Sequence, residues 1–136
     1  MKLEEVQGKY PGSTTFTFGD SQVLCDRLLA LVRSGAKTAT CNSLRAFEED
    51  GDPLPEPGRI DVALNWDGSP ALAIRTLSVE MRRFSAVEES FALAEGENES
   101  LAGWRSDHQG FFERNGGFDP DMELVCERFE LIEDFG

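Results

Sequence analysis

Gly35-Ala36-Lys37-Thr38-Ala39-Thr40 is the stretch at which this chain changes from helical to extended periodicity. Upstream of it, Val23, Leu24, Leu28, Leu31 and Val32 recur at helical spacing. Asp20 or Ser21 can cap the free amides of that helix, and Gly35 suits the left-handed position just past its C-terminus. Downstream, Thr38 to Asn42 reads as a strand. On the far side of the helix, Thr14 to Phe18 alternates polar and aromatic residues, which predicts a first strand with Phe16 and Phe18 facing inward.

The same punctuation continues along the chain. Ser43 to Asp50 predicts a short helix closed by Gly51, and Asp52-Pro53-Leu54-Pro55-Glu56-Pro57-Gly58 can only be a loop. Arg59 to Trp66 places Ile60, Val62, Leu64 and Trp66 on one face, and Asp67-Gly68 is a tight-turn signal, so a hairpin is expected. In its second strand the apolar parity runs Leu72, Ile74, then Leu77, Val79, Met81, a shift that predicts a β-bulge near Thr76. Ser85-Ala86-Val87-Glu88 has the form of a capping box for a helix to about Ala94, broken by Gly96-Glu97-Asn98-Glu99. Leu101, Trp104, His108, Phe111 and Phe112 then follow the helical period until Gly116-Gly117, and Glu123 to Ile132 supplies a last strand. Hairpins with intervening helices predict an α+β fold built on an antiparallel sheet. Periodicity alone does not distinguish a closed barrel from an open sheet.

The 136 residues suit one domain, 1–136, and 40% hydrophobic residues with ten Phe are ample for a core. No apolar run approaches the roughly 18 residues needed to cross a bilayer. Met1-Lys2-Leu3-Glu4-Glu5 lacks the start of a secretory signal, so a cytoplasmic protein with no membrane partner is expected. Cys25, Cys41 and Cys126 are odd in number and widely spaced, which fits reduced, buried thiols and no metal motif. Acidic residues outnumber basic ones by 26 to 13, giving a formal charge of -13. Such a chain repels nucleic acid at long range, so any RNA contact must be short and local.

Few residues stand out chemically. Lys37 beyond a helix C-terminus has an ordinary role beside the helix dipole, or it lies in a cleft as a base or phosphate ligand. Thr40 is either a strand residue or a nucleophile. Glu80 and Arg82 share a strand face, as a solvated ion pair or as cleft groups. His108, the one histidine, is a hydrogen-bonded core residue or a stacking and acid group at a cleft edge, with Trp104 one turn earlier. Glu88-Glu89 and the cluster Glu95, Glu97, Glu99 read as solvated surface. No GxxxxGK[ST] or GxGxxG pattern is present, which argues against nucleoside triphosphate chemistry, and Ser43 and Ser106 lack recognisable triad partners.

Five segments in order carry a resemblance: Phe18-Gly19-Asp20, Gly35 to Thr40 with its GxKxxT pattern, Pro55-Glu56-Pro57-Gly58, Thr76-Leu77-Ser78-Val79-Glu80, and Trp104-Arg105-Ser106-Asp107-His108 with Phe111-Phe112. Together they resemble the ASCH domain family of the PUA-like superfamily, in its longer branch with a Trp-Arg-x-x-His segment. The resemblance implies a small, mostly antiparallel β-barrel with flanking helices and a cleft that binds RNA. It also implies candidate chemistries. In one related branch a Lys, a Thr and a Glu hydrolyse N4-acylated cytidine, which would map to Lys37, Thr40 and Glu80 here. In another, single-stranded RNA is cleaved, with Glu80 or His108 activating a 2′-hydroxyl, Lys37 and Arg45 stabilising phosphate charge, and a divalent metal as an optional cofactor. Arg45, Arg82, Trp104 and His108 are the expected substrate-binding residues. The partners implied are single-stranded RNA, a nucleoside or a modified nucleotide, as ligand of a binding module or substrate of a ribonuclease or amidohydrolase. Oligomeric state is not readable.

Overall fold

In the computed structural model, which describes residues 2–136, the helix expected before Lys37 is α2, Gln22–Ser34. The Ser21 side chain accepts a hydrogen bond from the Leu24 amide, and Gly35 closes the helix at φ 84°. A first helix α1, Leu3–Lys9, precedes β1, Thr14–Phe16. It lacked a clear sequence signal because its buried apolar residue is Val6 alone. β2, Ala39–Ser43, runs straight into α3, Leu44–Asp50, which Ser43 caps and Gly51 ends in the left-handed region. The hairpin follows as β3, Ile60–Leu64, and β4, Pro70–Arg83. Then come α4, Glu89–Ala94, α5, Leu101–Arg114, and β5, Glu123–Asp134.

The strands form one mixed sheet in the order β1-β3-β4-β5-β2. β1 pairs parallel with β3, and every other pair is antiparallel. The expected bulge is present, since the β4–β5 register shifts between Thr76 and Ser78, and again between Ala73 and Ile74. These shifts add local twist and curl the sheet into a half-barrel, leaving β1 and β2 as its two edges. Each face carries a core. Phe18, Leu28, Leu29, Val32, Ile74 and Phe129 bury α2 against one face. Phe84, Phe91, Trp104, Phe112, Leu124 and Cys126 bury α4 and α5 against the other. β5 feeds both by alternation, Cys126 one way and Phe129 the other.

Three local expectations fail for identifiable reasons. Trp66 is exposed because β3 ends at Leu64, before the turn. β3 is instead buried on both faces, at Asp61, Val62 and Ala63. Leu77 and Met81 face solvent, because beyond the bulge the outer half of β4 loses its cover. Ser85 lies in a 3-10 turn, Phe84–Ala86, and α4 starts from Glu88 with no side-chain cap. No helix among the described residues is long and apolar enough to cross a membrane.

Candidate functional site

Lys37 leaves α2 pointing into protein. Its amide and that of Ala36 both donate to the Leu31 carbonyl, which tucks the chain under the helix end. The ammonium, 2% exposed, donates to Glu95 Oε1 at 3.2 Å, to Glu97 Oε2 at 3.0 Å and to the Glu95 carbonyl at 3.4 Å. It also lies 5.8 Å from the centre of the Phe18 ring. Burial opposes the charge, but the two carboxylates outweigh it and hold the lysine pKa above its ordinary value.

Glu95 is the hub of this cluster. Its Oε2 accepts from the Trp104 indole at 2.6 Å, from His108 Nε2 at 3.3 Å and from the Cys41 thiol at 3.4 Å. Burial works against its ionisation, yet Lys37 and His108 pull its pKa down to about 2. His108 stacks on Trp104 with centroids 4.2 Å apart, and its Nδ1 lies 2.9 Å from the Trp104 carbonyl. Both ring nitrogens face acceptors, so both contacts are hydrogen bonds only in the imidazolium form. Burial lowers the His108 pKa and the Glu95 hydrogen bond raises it, with a net upward shift. Lys37 and, when protonated, His108 thus meet Glu95 and Glu97 in a largely buried cluster. Cys41, Glu95 and His108 present ligand atoms within 4.8 Å of one another. The set suits hydrogen bonding rather than a metal ion, because the Glu95 oxygens are already filled and Lys37 occupies the place a cation would take.

One glycine makes this closure sterically feasible. Gly96 has φ 75°, and a Cβ there would overlap the Ala36 carbonyl and sit 2.9 Å from the Lys37 nitrogen. Thr38 N donates to the Ala94 carbonyl at 2.7 Å alongside. The α4–α5 loop therefore seats directly on the backbone of the GxKxxT segment.

In front of the cluster lies a cleft of 340 Å³ at the open seam of the half-barrel, with edge residues Thr14–Phe16 of β1 and Thr40–Asn42 of β2 along its sides. Phe18, Cys41 and Phe111 bring aromatic and apolar surface, and Arg59, Asp61 and Glu127 bring charge. Arg59 binds Asp61 Oδ2 through Nε at 3.2 Å and Nη2 at 3.0 Å, and the Thr14 hydroxyl donates to Asp61 Oδ1. Thr76 donates to Glu127 Oε2 at 2.7 Å. Burial raises the Glu127 pKa, Thr76 opposes the rise, and the nearby Asp61 charge adds to it. Thr40 and Glu127 are opposite one another across β2 and β5.

The structure therefore brings Lys37, Trp104 and His108 together and puts Thr40 on the cleft wall. Glu80 is elsewhere. It is exposed on the outer half of β4 and bound by Arg82 at 2.9 Å, beside a small hollow with Glu88, Phe91 and Arg128. Arg45 is exposed too, bonded to the Gly116 carbonyl and 3.7 Å from Glu49. The carboxylates that meet Lys37 are Glu95 and Glu97, which the sequence reading assigned to solvated surface. A lysine shifted upward holds its proton, so the resting ammonium is a fixed charge rather than a base. Arg59, Asp61 and Glu127 were also missed as site residues. A signal existed for Glu127, which shares strand parity with buried Val125 and Phe129 and is thus a carboxyl at an inward position.

A family model described as the ASCH domain matches residues 14–133. The crystal structure of an ASCH domain from Lactobacillus crispatus JV V101 is similar at TM-score 0.81 and 33% identity, covering 93% of this chain and 84% of that one. Protein EF3133 from Enterococcus faecalis V583 is similar at TM-score 0.81 and 36% identity, covering 95% and 84%. No curated protein matches the chain. Matched over nearly its whole length by the family model and by these folds, the chain belongs to the ASCH domain family, a family associated with RNA binding.

Proposed function

We propose that the seam cleft binds one unpaired nucleotide of single-stranded RNA, or a nucleoside or modified nucleoside of that size. The observation that carries this reading is the cleft itself: 340 Å³, mixed aromatic and polar walls, and a position between two sheet edges. That volume lies at the low end for small-ligand sites and is too small for a duplex. Phe18 and Phe111 offer surfaces for stacking, and the threonine hydroxyls offer hydrogen bonds. Electrostatics agree with a small ligand. Lys37 is buried, and Arg45, Arg59, Arg75 and Arg82 each meet a carboxylate, so these cations do not combine into a phosphate-binding track.

Titration of 15N-labelled protein with short single-stranded RNA and with free nucleosides tests this. Shifts should concentrate on residues 14–19, 40–42 and 111, and affinity should depend weakly on salt. A lack of shifts at millimolar ligand, or shifts confined to the hollow beside Glu80, would sink it.

A turnover reading has one observation in its favour. The Thr40 hydroxyl and Glu127 carboxyl face each other across the strand ladder on the cleft wall, an arrangement suited to a nucleophile and a base. Lys37 would then contribute positive charge from behind Phe18. Products from single-stranded RNA and N4-acetylcytidine, followed by mass spectrometry for wild type and Thr40→Val, separate the cases. Cytidine and acetate lost in the variant would make the protein an amidohydrolase, cleaved RNA a ribonuclease, and no product a binding module.

A further inference from the structure

We propose that Glu127 reads the edge of the bound base, so that the cleft selects bases carrying an exocyclic amino group over uracil-type bases. This inference rests on the nucleotide-binding reading above and adds the class of ligand.

Asp61 is saturated, with Arg59 on one oxygen and Thr14 on the other. Arg59 is spent as well, since its remaining nitrogen donates to the Pro53 and Leu54 carbonyls. Glu127 differs. It is 92% buried at 8% exposure, and Thr76 fills Oε2, but Oε1 has no protein partner among the described residues. That oxygen is open to the cleft and free to accept from a bound donor. Burial and the Asp61 charge raise the Glu127 pKa, against the Thr76 hydrogen bond.

The group that this carboxylate oxygen suits best is an N–H donor. A phosphate is excluded from this depth, because Asp52, Asp61 and Glu127 line the cleft and its one arginine is already neutralised. An amino group of adenine, cytosine or guanine gives the carboxyl a donor, as glutamate accepts from the cytosine amine in grooves of DNA. Uracil presents a single N–H flanked by two carbonyl oxygens, which the carboxylate repels. The rigid mount on β5, held by Thr76 on β4, keeps the reader in one position.

The test is calorimetric titration with adenosine, cytidine, guanosine and uridine, on wild type and on Glu127→Gln. Uridine should bind at least about tenfold more weakly than the best amino-bearing nucleoside, as expected for one hydrogen bond to a charged group. In Glu127→Gln the gap should shrink to under about threefold, because the amide can present either donor or acceptor. Glu80→Gln, outside the cleft, should keep the gap. Equal binding of uridine and the others by wild type overturns the inference even if the glutamine variant does not fold. So does a gap that survives in Glu127→Gln, and so does cleft binding of RNA with no preference among bases. In those cases nucleotide binding at the seam stands, whereas absence of binding by every nucleoside and RNA removes both.

Discussion

Replacing Lys37 with methionine tests whether the lysine is a structural charge or a working base. The ammonium lies 3.2 Å from Glu95 Oε1 and 3.0 Å from Glu97 Oε2. At an effective dielectric of about 20, each contact is worth roughly 5 kcal/mol of Coulomb attraction. The desolvation of a buried ammonium, several kcal/mol, offsets much of that sum. Methionine removes both terms but leaves Glu95 buried with only His108 as its cation, and breaking a buried pair in this way costs about 3–5 kcal/mol. For a chain of this size such a loss lowers Tm by about 10–18 °C. Urea denaturation at pH 7, monitored by tryptophan fluorescence and far-ultraviolet dichroism, measures it. Two further arms separate charge from packing. Without Lys37 the Glu95 pKa rises from about 2, so the deficit should narrow as pH falls and Glu95 takes a proton. Lys37→Met with Glu95→Gln should lose less than the sum of the single changes, since the double variant no longer buries a Glu95 charge without its lysine. A cost below about 1 kcal/mol for Lys37→Met, or strict additivity, would refute the account of Lys37 as the counter-charge of Glu95.

The same cluster sets a pH window. Glu95 has a folded pKa near 2, below its unfolded value, so its contribution is full above about pH 4.5 and lost as pH falls toward 2. His108 is shifted upward, so its contribution is full below about pH 6.5 and lost as pH rises through the folded value. Urea midpoints should therefore fall from pH 6 to 9, with a shallower fall in His108→Gln; an unchanged slope in that variant would contradict the imidazolium assignment. Gly96→Ala should cost more than about 1–3 kcal/mol, since left-handed strain adds to overlap with the Ala36 carbonyl. Gly58→Ala, at φ 90° with open space, should show the strain alone, and equal losses at the two sites would remove the close-approach argument. Burial pushes the Cys126 thiol up to about 12 and raises Cys41 well above its usual value. Both should alkylate with iodoacetamide at pH 8 at least about a hundredfold more slowly folded than in urea, and rapid labelling of either would mean an open cluster.

The residues differ in how far they could be read in advance. α2 and its two caps were legible because a helix end is a local event, decided by Ser21, Gly35 and the apolar spacing between them. The β3–β4 hairpin and the bulge at Thr76 were legible for the same reason, as parity and turn residues lie within a few positions of the feature. The five ordered segments, read against a family, placed Lys37, Thr40, Trp104 and His108 in one argument before any contact was known. The partners were not legible. Glu80 and Glu95 are both acidic residues near a polar surface pattern, and local periodicity states only which face a side chain takes. Which distant element covers that face decides whether the group is solvated with Arg82 or buried with Lys37. In this fold the deciding contact is the Gly96 loop on Ala36, and it depends on chain closure over sixty positions of sequence. The cleft is a tertiary product in the same sense, because β1 and β2 become its walls only when the sheet order puts them at opposite edges of a curled sheet. Sequence alone thus determined most of the elements, the caps of α2 and the family, but not α1 or the start of α4. Packing alone chose Glu95 and Glu97 as the partners of Lys37 and left one Glu127 oxygen open to the cleft, because burial and pairing are set by elements that meet only in the folded chain.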